Sequence, residues 1–176
     1  AAARPQGQRN PHGEVVEVSL ATGRVVRVVR VPAPLDRPFA VADDDGLWLV
    51  PSPETGVSGA GAARTYLLAP GARSLRVVHR AGYAAAWVVA SGHTLWEDLL
   101  SLHGREAPRQ ELWRVDGPTG AAHAVGRLGA AARAFVPAPT PDGTLWTLRS
   151  ITDPGTNNSC SRQQVVAIDG ATAASR

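Results

Sequence analysis

Apolar residues in this chain fall in short runs rich in valine, leucine and alanine, and a glycine-containing turn punctuates each run. One recurring phrase is Asp-Gly, or a close substitute, running into Leu-Trp: Asp45-Gly46-Leu47-Trp48, Gly92-His93-Thr94-Leu95-Trp96 and Asp142-Gly143-Thr144-Leu145-Trp146. Trp48, Trp96 and Trp146 are 48 and 50 residues apart. Glycine supplies the positive φ of a tight hairpin turn, and Leu-Trp then opens a strand with a face to bury.

A second phrase is an apolar strand that ends in a small-residue turn. It occurs as Val15 to Gly23, Thr65 to Gly71, Glu111 to Gly120 and Val165 to Thr172. The segment after the turn repeats as well: Gly23-Arg24-Val25-Val26-Arg27-Val28-Val29-Arg30 aligns with Ala72-Arg73-Ser74-Leu75-Arg76-Val77-Val78-His79 at an offset of 49. Arg24 to Arg30 has a three-residue rhythm that suits neither helix nor strand, and its β-branched density assigns it to a strand. Apolar spacing at 3.6 residues, the mark of helical repeats, is absent.

Each unit therefore reads as strand, Gly turn, strand, Pro-containing link, strand, Asp-Gly turn and Trp strand. In the first copy Pro32 to Ala42 holds the link and the third strand, Phe39-Ala40-Val41-Ala42. The expected fold is all-β: β-propeller blades of four antiparallel strands, about three and a half of them. Residues 1–13 are expected to form a loose, polar N-terminal arm. Blades are expected at about 14–62, 63–109 and 110–162, with a partial one at 163–176. Propellers close with about four to eight blades. The chain is thus a piece of a larger propeller, or associates with another copy through its open edges, or completes its last blade with the N-terminal arm.

The run Val16-Glu17-Val18-Ser19-Leu20-Ala21-Thr22-Gly23-Arg24-Val25-Val26, followed by Asp45-Gly46-Leu47-Trp48-Leu49-Val50, resembles repeats of streptogramin-lyase-like and YVTN-type propellers. Val166-Ala167-Ile168-Asp169-Gly170-Ala171-Thr172 is similar to the strand and turn of quinoprotein-type repeats. What the resemblance implies is fold, because this scaffolding serves many functions. Streptogramin-lyase-like blades continue Leu-Trp with Phe-Thr-Glu, whereas here Leu49-Val50-Pro51, Glu97-Asp98-Leu99 and Thr147-Leu148-Arg149 follow. No catalytic residue is carried over. A quinoprotein enzyme needs a full ring of blades around its cofactor, more than three copies supply.

Composition adds limits. With 176 residues, 44% of them hydrophobic, the chain suits one domain with a core. All eighteen basic residues are arginine, and lysine and methionine are absent, as expected of a bacterial GC-rich genome. The formal net charge is only +3, and the arginines neither cluster nor interleave with aromatics, so nucleic acid is not an expected partner. The longest apolar run, Ala84 to Ala90, is too short for a membrane helix. Cys160 is the single cysteine, read as a loop thiol. A chain opening at Ala1 without methionine suggests a processed N-terminus, and with it a lean toward an extracytoplasmic or secreted location.

Candidate chemistry is sparse. His93, Glu97, Asp98 and His103 fall within eleven residues but lack a metal-ligand spacing. In a strand His93, Leu95, Glu97 and Leu99 share a side and Asp98 points the other way, so these charges are expected at the rim. Asp43-Asp44-Asp45 lacks the alternation and closing glutamate of a calcium loop and reads as a solvated turn. Gly56 to Gly61 misses the Gly-x-Ser-x-Gly elbow at Ala60 and reads as a loop between blades. Asn157-Asn158-Ser159 spells a glycosylation sequon on an exposed loop. Trp48, Trp96 and Trp146 recur with the period and are expected between neighbouring blades, while Trp87 and Trp113 break it and are candidates for something specific. No catalytic, cofactor-binding or metal residue is assigned, and no cofactor. The function expected is a non-enzymatic propeller scaffold for ligand or protein binding, a sensor or surface module. The alternative is a partial propeller enzyme of the lyase or quinoprotein class.

Overall fold

The β-branched runs and glycine turns become thirteen antiparallel strands in the computed structural model, which describes residues 13–32, 35, 38–52, 64–79, 84–101, 109–126, 137–151 and 162–169. They are β1 (Glu14–Val18), β2 (Val25–Arg30), β3 (Phe39–Asp43), β4 (Gly46–Val50), β5 (Thr65–Leu68), β6 (Arg76–His79), β7 (Ala84–Ser91), β8 (Thr94–Ser101), β9 (Arg109–Asp116), β10 (Ala122–Gly126), β11 (Ala138–Pro139), β12 (Thr144–Ile151) and β13 (Arg162–Asp169). The described residues contain no helix, and so none among them that is long and apolar enough to cross a membrane. The all-β expectation holds, including β2, where β-branched density outweighed the three-residue rhythm.

Both recurring phrases form hairpins. Gly23, Gly71 and Gly120 occupy equivalent places in the β1–β2, β5–β6 and β9–β10 turns, with φ of 66°, 75° and 73°. That left-handed conformation suits glycine far better than any residue with a Cβ. In the third of these turns Asp116 accepts hydrogen bonds at Oδ1 from both the amide (2.9 Å) and the hydroxyl of Thr119. The Asp-Gly phrase builds the β3–β4 turn, where Gly46 at φ 126° passes so close to Leu68 that an added Cβ would stand 2.2 Å from its carbonyl oxygen.

The strands form four sheets in chain order: β1–β2, β3–β4–β5–β6, β7–β8–β9–β10 and β11–β12–β13. The grouping corrects the expected unit, in which β1 to β4 made one sheet. The border near 62/63 falls between the second and third strands of an observed sheet, and those near 109/110 and 162/163 fall at the first residue of the third. A repeating pattern defines its period whatever the starting point, and link length gives no help with phase. Links 31–38, 80–83 and 127–137 join sheets, connections 51–64, 102–108 and 152–161 stay within them, and the two sets overlap in length. Residues 1–12 of the expected arm lie outside the described residues; the Gly13 carbonyl accepts a bond from the Val31 amide at 2.8 Å.

The core lies between sheets. Trp48, Val50 and Leu67 on one face of β3–β6 pack against Ala85, Val88, Leu95, Leu99 and Val115 of β7–β10. Trp87, Trp96 and Leu112 on the other face of β7–β10 pack against Leu145, Val166 and Ile168 of β11–β13. The opposite face of β3–β6, with Leu49 and Tyr66, meets Val31, Leu35 and Val15. In sheets β3–β6 and β7–β10 the tryptophan of the Leu-Trp phrase is thus buried against aliphatic side chains of the next sheet. β8 is covered on both sides, and its residues 94–99 are all buried. Trp48 and Trp96 hold the expected inter-sheet place, whereas Trp146 is 45% exposed. Trp87 is core.

Candidate functional site

Two groups of polar side chains come together, and both join neighbouring sheets. The first grows from the pairing of β5 with β6, which sets Thr65 opposite His79. β8 presents Glu97 on the same side as Leu95 and Leu99, toward this pair. The Thr65 hydroxyl donates to Glu97 Oε1, and His79 Nδ1 lies 3.1 Å from Glu97 Oε2. Glu97 is fully buried, Thr65 and His79 nearly so. The His79 ring leans against Trp113, with centroids 4.9 Å apart and planes tilted by 35°. A carboxyl group enclosed in this way has both oxygens engaged, as a polar group removed from water requires.

The second group stands at the turn end of the sheets. Asp43 Oδ1 accepts a bond from the Asp45 amide at 2.9 Å, shaping the β3–β4 turn, and Asp45 Oδ1 meets His93 Nδ1 at 2.9 Å across to the β7–β8 turn. The Asp44 amide donates to the Gly92 carbonyl at 3.2 Å, and the Gly117 amide to the His93 carbonyl at 2.9 Å. Gly117 in the β9–β10 turn abuts Asp45 so closely that an added Cβ would overlap the Asp45 carboxylate. Its carbonyl accepts from Arg76 Nη2 at 2.6 Å. One sheet earlier, Arg27 donates to the Ala72 carbonyl in the β5–β6 turn and pairs with Glu17 at 2.5 Å. Arg27 and Arg76 stand 49 residues apart, and each donates to a carbonyl in a tight turn of the next sheet.

These contacts set the electrostatics. The hydrogen bond that His93 donates to Asp45, then the charges of Asp45, Asp44 and Asp43, push the His93 imidazole above its ordinary value. Burial raises the Asp43 carboxyl, against the Trp48 indole and the Asp45 and Gly46 amides that favour its ionised form. Hydrogen bonds from the Thr119 hydroxyl and amide hold Asp116 below the usual range. Asp98, on the opposite side of β8 from Glu97, is pushed up to about 6 by burial.

No protein-family model, curated protein or solved structure matches the chain.

Of the four residues that sequence spacing grouped, three are described, and the structure separates them. His93 is exposed and joins the acidic turn, while Glu97 and Asp98 are buried between sheets rather than placed at a rim. β8 is covered on both faces, so neither side of the strand offers a charge direct access to water. His103, Cys160, the loop at Gly56 to Gly61 and the Asn157-Asn158-Ser159 sequon lie outside the described residues. The acidic triplet does form a turn, with Asp45 engaged by His93. Among the described residues no three His, Cys, Asp or Glu side chains gather as metal ligands. Sequence reading missed Thr65 and His79. Their signal was present in the alignment of strand and turn phrases, which makes Thr65 and His79 the two ends of one hairpin.

Proposed function

We propose that the chain is an arc of β-propeller blades serving as a non-enzymatic scaffold, which takes a protein or small-molecule partner at the end of the sheets opposite the tight turns. The propeller reading is supported by the first strands of three successive sheets: β7 packs against both β3 and β11, and each sheet continues from its first strand in chain order. Inner strands so placed surround an axis in a propeller.

The binding reading is carried by one observation, the segregation of the connections. Antiparallel meanders put the tight β3–β4, β5–β6, β7–β8, β9–β10 and β11–β12 turns at one end, where hydrogen bonds lace three of them together. Connections 51–64, 102–108 and 152–161 leave from the other end, as do the links between sheets. Long connections on a rigid scaffold are where recognition residues concentrate. The His79–Glu97 and His93–Asp45 pairs each tie one sheet to the next, which favours a scaffold over a catalyst.

The test is to replace residues 53–63, 102–108 and 152–160, one segment at a time, with Gly-Ser stretches of equal length. Partners from an extract of the source organism are then captured on the immobilised full chain. At least one replacement abolishes capture of a partner that the wild-type chain retains, at an unchanged thermal midpoint, while replacing 20–22 in the β1–β2 turn does not. Capture that survives all three replacements ends the reading.

A further inference from the structure

The two outermost sheets leave complementary faces open. On β11–β13, cross-strand pairing puts Ala138, Trp146 and Ala167 on one face, with Val165 alongside, and Trp146 and Val165 are 45% and 60% exposed. The other face, with Leu145, Val166 and Ile168, is buried against β7–β10. At the opposite end of the chain, β1–β2 turns Val15 and Val29 inward. Its outer face carries Val16 opposite Val28 and Val18 opposite Val25, with Val26 beside them, and all five are about half exposed or more. Uncovered apolar surface of this extent marks an interaction site.

The interior of the molecule shows what each face accepts. Trp48 is fully buried by Ala85, Val88, Leu95, Leu99 and Val115 of the next sheet, and Trp96 by Leu145, Val166 and Ile168 of the sheet after. In both junctions the tryptophan of the Leu-Trp phrase is buried against aliphatic side chains of the following sheet. Trp146 is the third tryptophan of the series and is the one left uncovered. Among the described residues, the aliphatic face without a preceding sheet is the valine face of β1–β2.

We infer that the chain self-associates head to tail, the Trp146 face of one copy packing on the Val16–Val18–Val26–Val28 face of a second, and so repeats between molecules the junction found twice within one. The inference rests on the order of the sheet faces and is independent of what the scaffold binds. Such a contact is heterologous: each copy uses two different surfaces, and association closes into a ring or continues as an open array.

Analytical ultracentrifugation of the full chain over a wide concentration range tests this. The wild type passes from monomer to larger species as concentration rises. Trp146→Arg and Val28→Arg, each at an exposed position and each checked for an unchanged circular-dichroism spectrum and thermal midpoint, weaken association at least tenfold. Mixing the two variants restores a species that stops at the dimer, because each variant retains one intact face and the two faces are complementary. A wild type that stays monomeric at every concentration overturns the inference and assigns both faces to other sheets. Association that survives either substitution, or a mixture that yields no dimer, overturns it equally, since a symmetric Trp146-to-Trp146 contact would be blind to Val28.

Discussion

Glu97 meets Nδ1 of His79 at 3.1 Å in the space between two sheets, with no part of the glutamate open to solvent. The second carboxylate oxygen accepts from Thr65, so one side chain of β8 joins both strands of the facing hairpin. Glu97→Ala would leave the imidazole and the hydroxyl without their shared acceptor and open a void beside them. Removing one partner of a buried polar group of this kind costs about 3 kcal/mol. Glu97→Gln keeps the volume and part of the hydrogen bonding, and should cost clearly less. Urea denaturation of both variants measures the difference; equal and negligible losses would remove the tie from the account of stability.

Asp98 gives a pH dependence of unusual sign for a carboxylic acid. Burial raises its folded-state pKa from 3.8 to about 6, so the native chain holds this proton more tightly than the unfolded chain does. The contribution to stability is complete below the unfolded value and is lost as the pH rises from about 4 through 6. Asp98→Asn removes the titrating group. Relative to this variant the wild type should lose stability, on the order of 2 kcal/mol, between those pH values and follow it in parallel above pH 7. Denaturation midpoints of the pair at a series of pH values decide the point, and parallel curves throughout would contradict it.

The strands and hairpins were legible because their signals are local. Positive-φ glycines at 23, 71 and 120 and the Asp-Gly-Leu-Trp phrase each specify a turn from a few neighbouring residues. Sheet grouping was not, since which hairpin docks on which depends on packing between elements, and a periodic pattern reads the same from any starting point. The side chosen by Glu97 also followed from strand alternation, with Leu95 and Leu99 as guides. Its partners did not, being 32 and 18 residues earlier in the chain on a facing sheet. Reading Glu97 and Asp98 as rim charges failed because β8 is packed on both faces, and coverage of the second face depends on a sheet formed from residues beyond 137.

The Asp45–His93 contact predicts a titration. Both side chains stand at the surface end of their turns, and the carboxylate favours the charged imidazole. His93 should therefore titrate above 6.5 by NMR, and Asp45→Asn should move it back toward that value. Because the raised value belongs to a histidine, the small stabilisation it brings is present at acid pH and fades as the pH rises through the folded-state value. An unmoved His93 resonance in the variant would show that the bond does not persist in solution.

Trp48 and Trp146 occupy the same place in the recurring Asp-Gly Leu-Trp phrase and differ in how far they are covered. Trp48 is enclosed by the aliphatic face of the next sheet, so Trp48→Ala leaves a large cavity, and a cost of about 3–5 kcal/mol is expected. Trp146 is 45% exposed, so Trp146→Ala in dilute solution should cost about 1 kcal/mol. The contrast isolates inter-sheet burial, because the two substitutions delete the same atoms from equivalent strands. Raising the protein concentration adds a second dimension: if head-to-tail packing covers Trp146, its contribution grows with concentration while that of Trp48 stays constant. Thermal midpoints of both variants at two widely separated concentrations would show this, and a Trp146→Ala loss as large as that of Trp48→Ala in dilute solution would mean that another element already covers the third tryptophan.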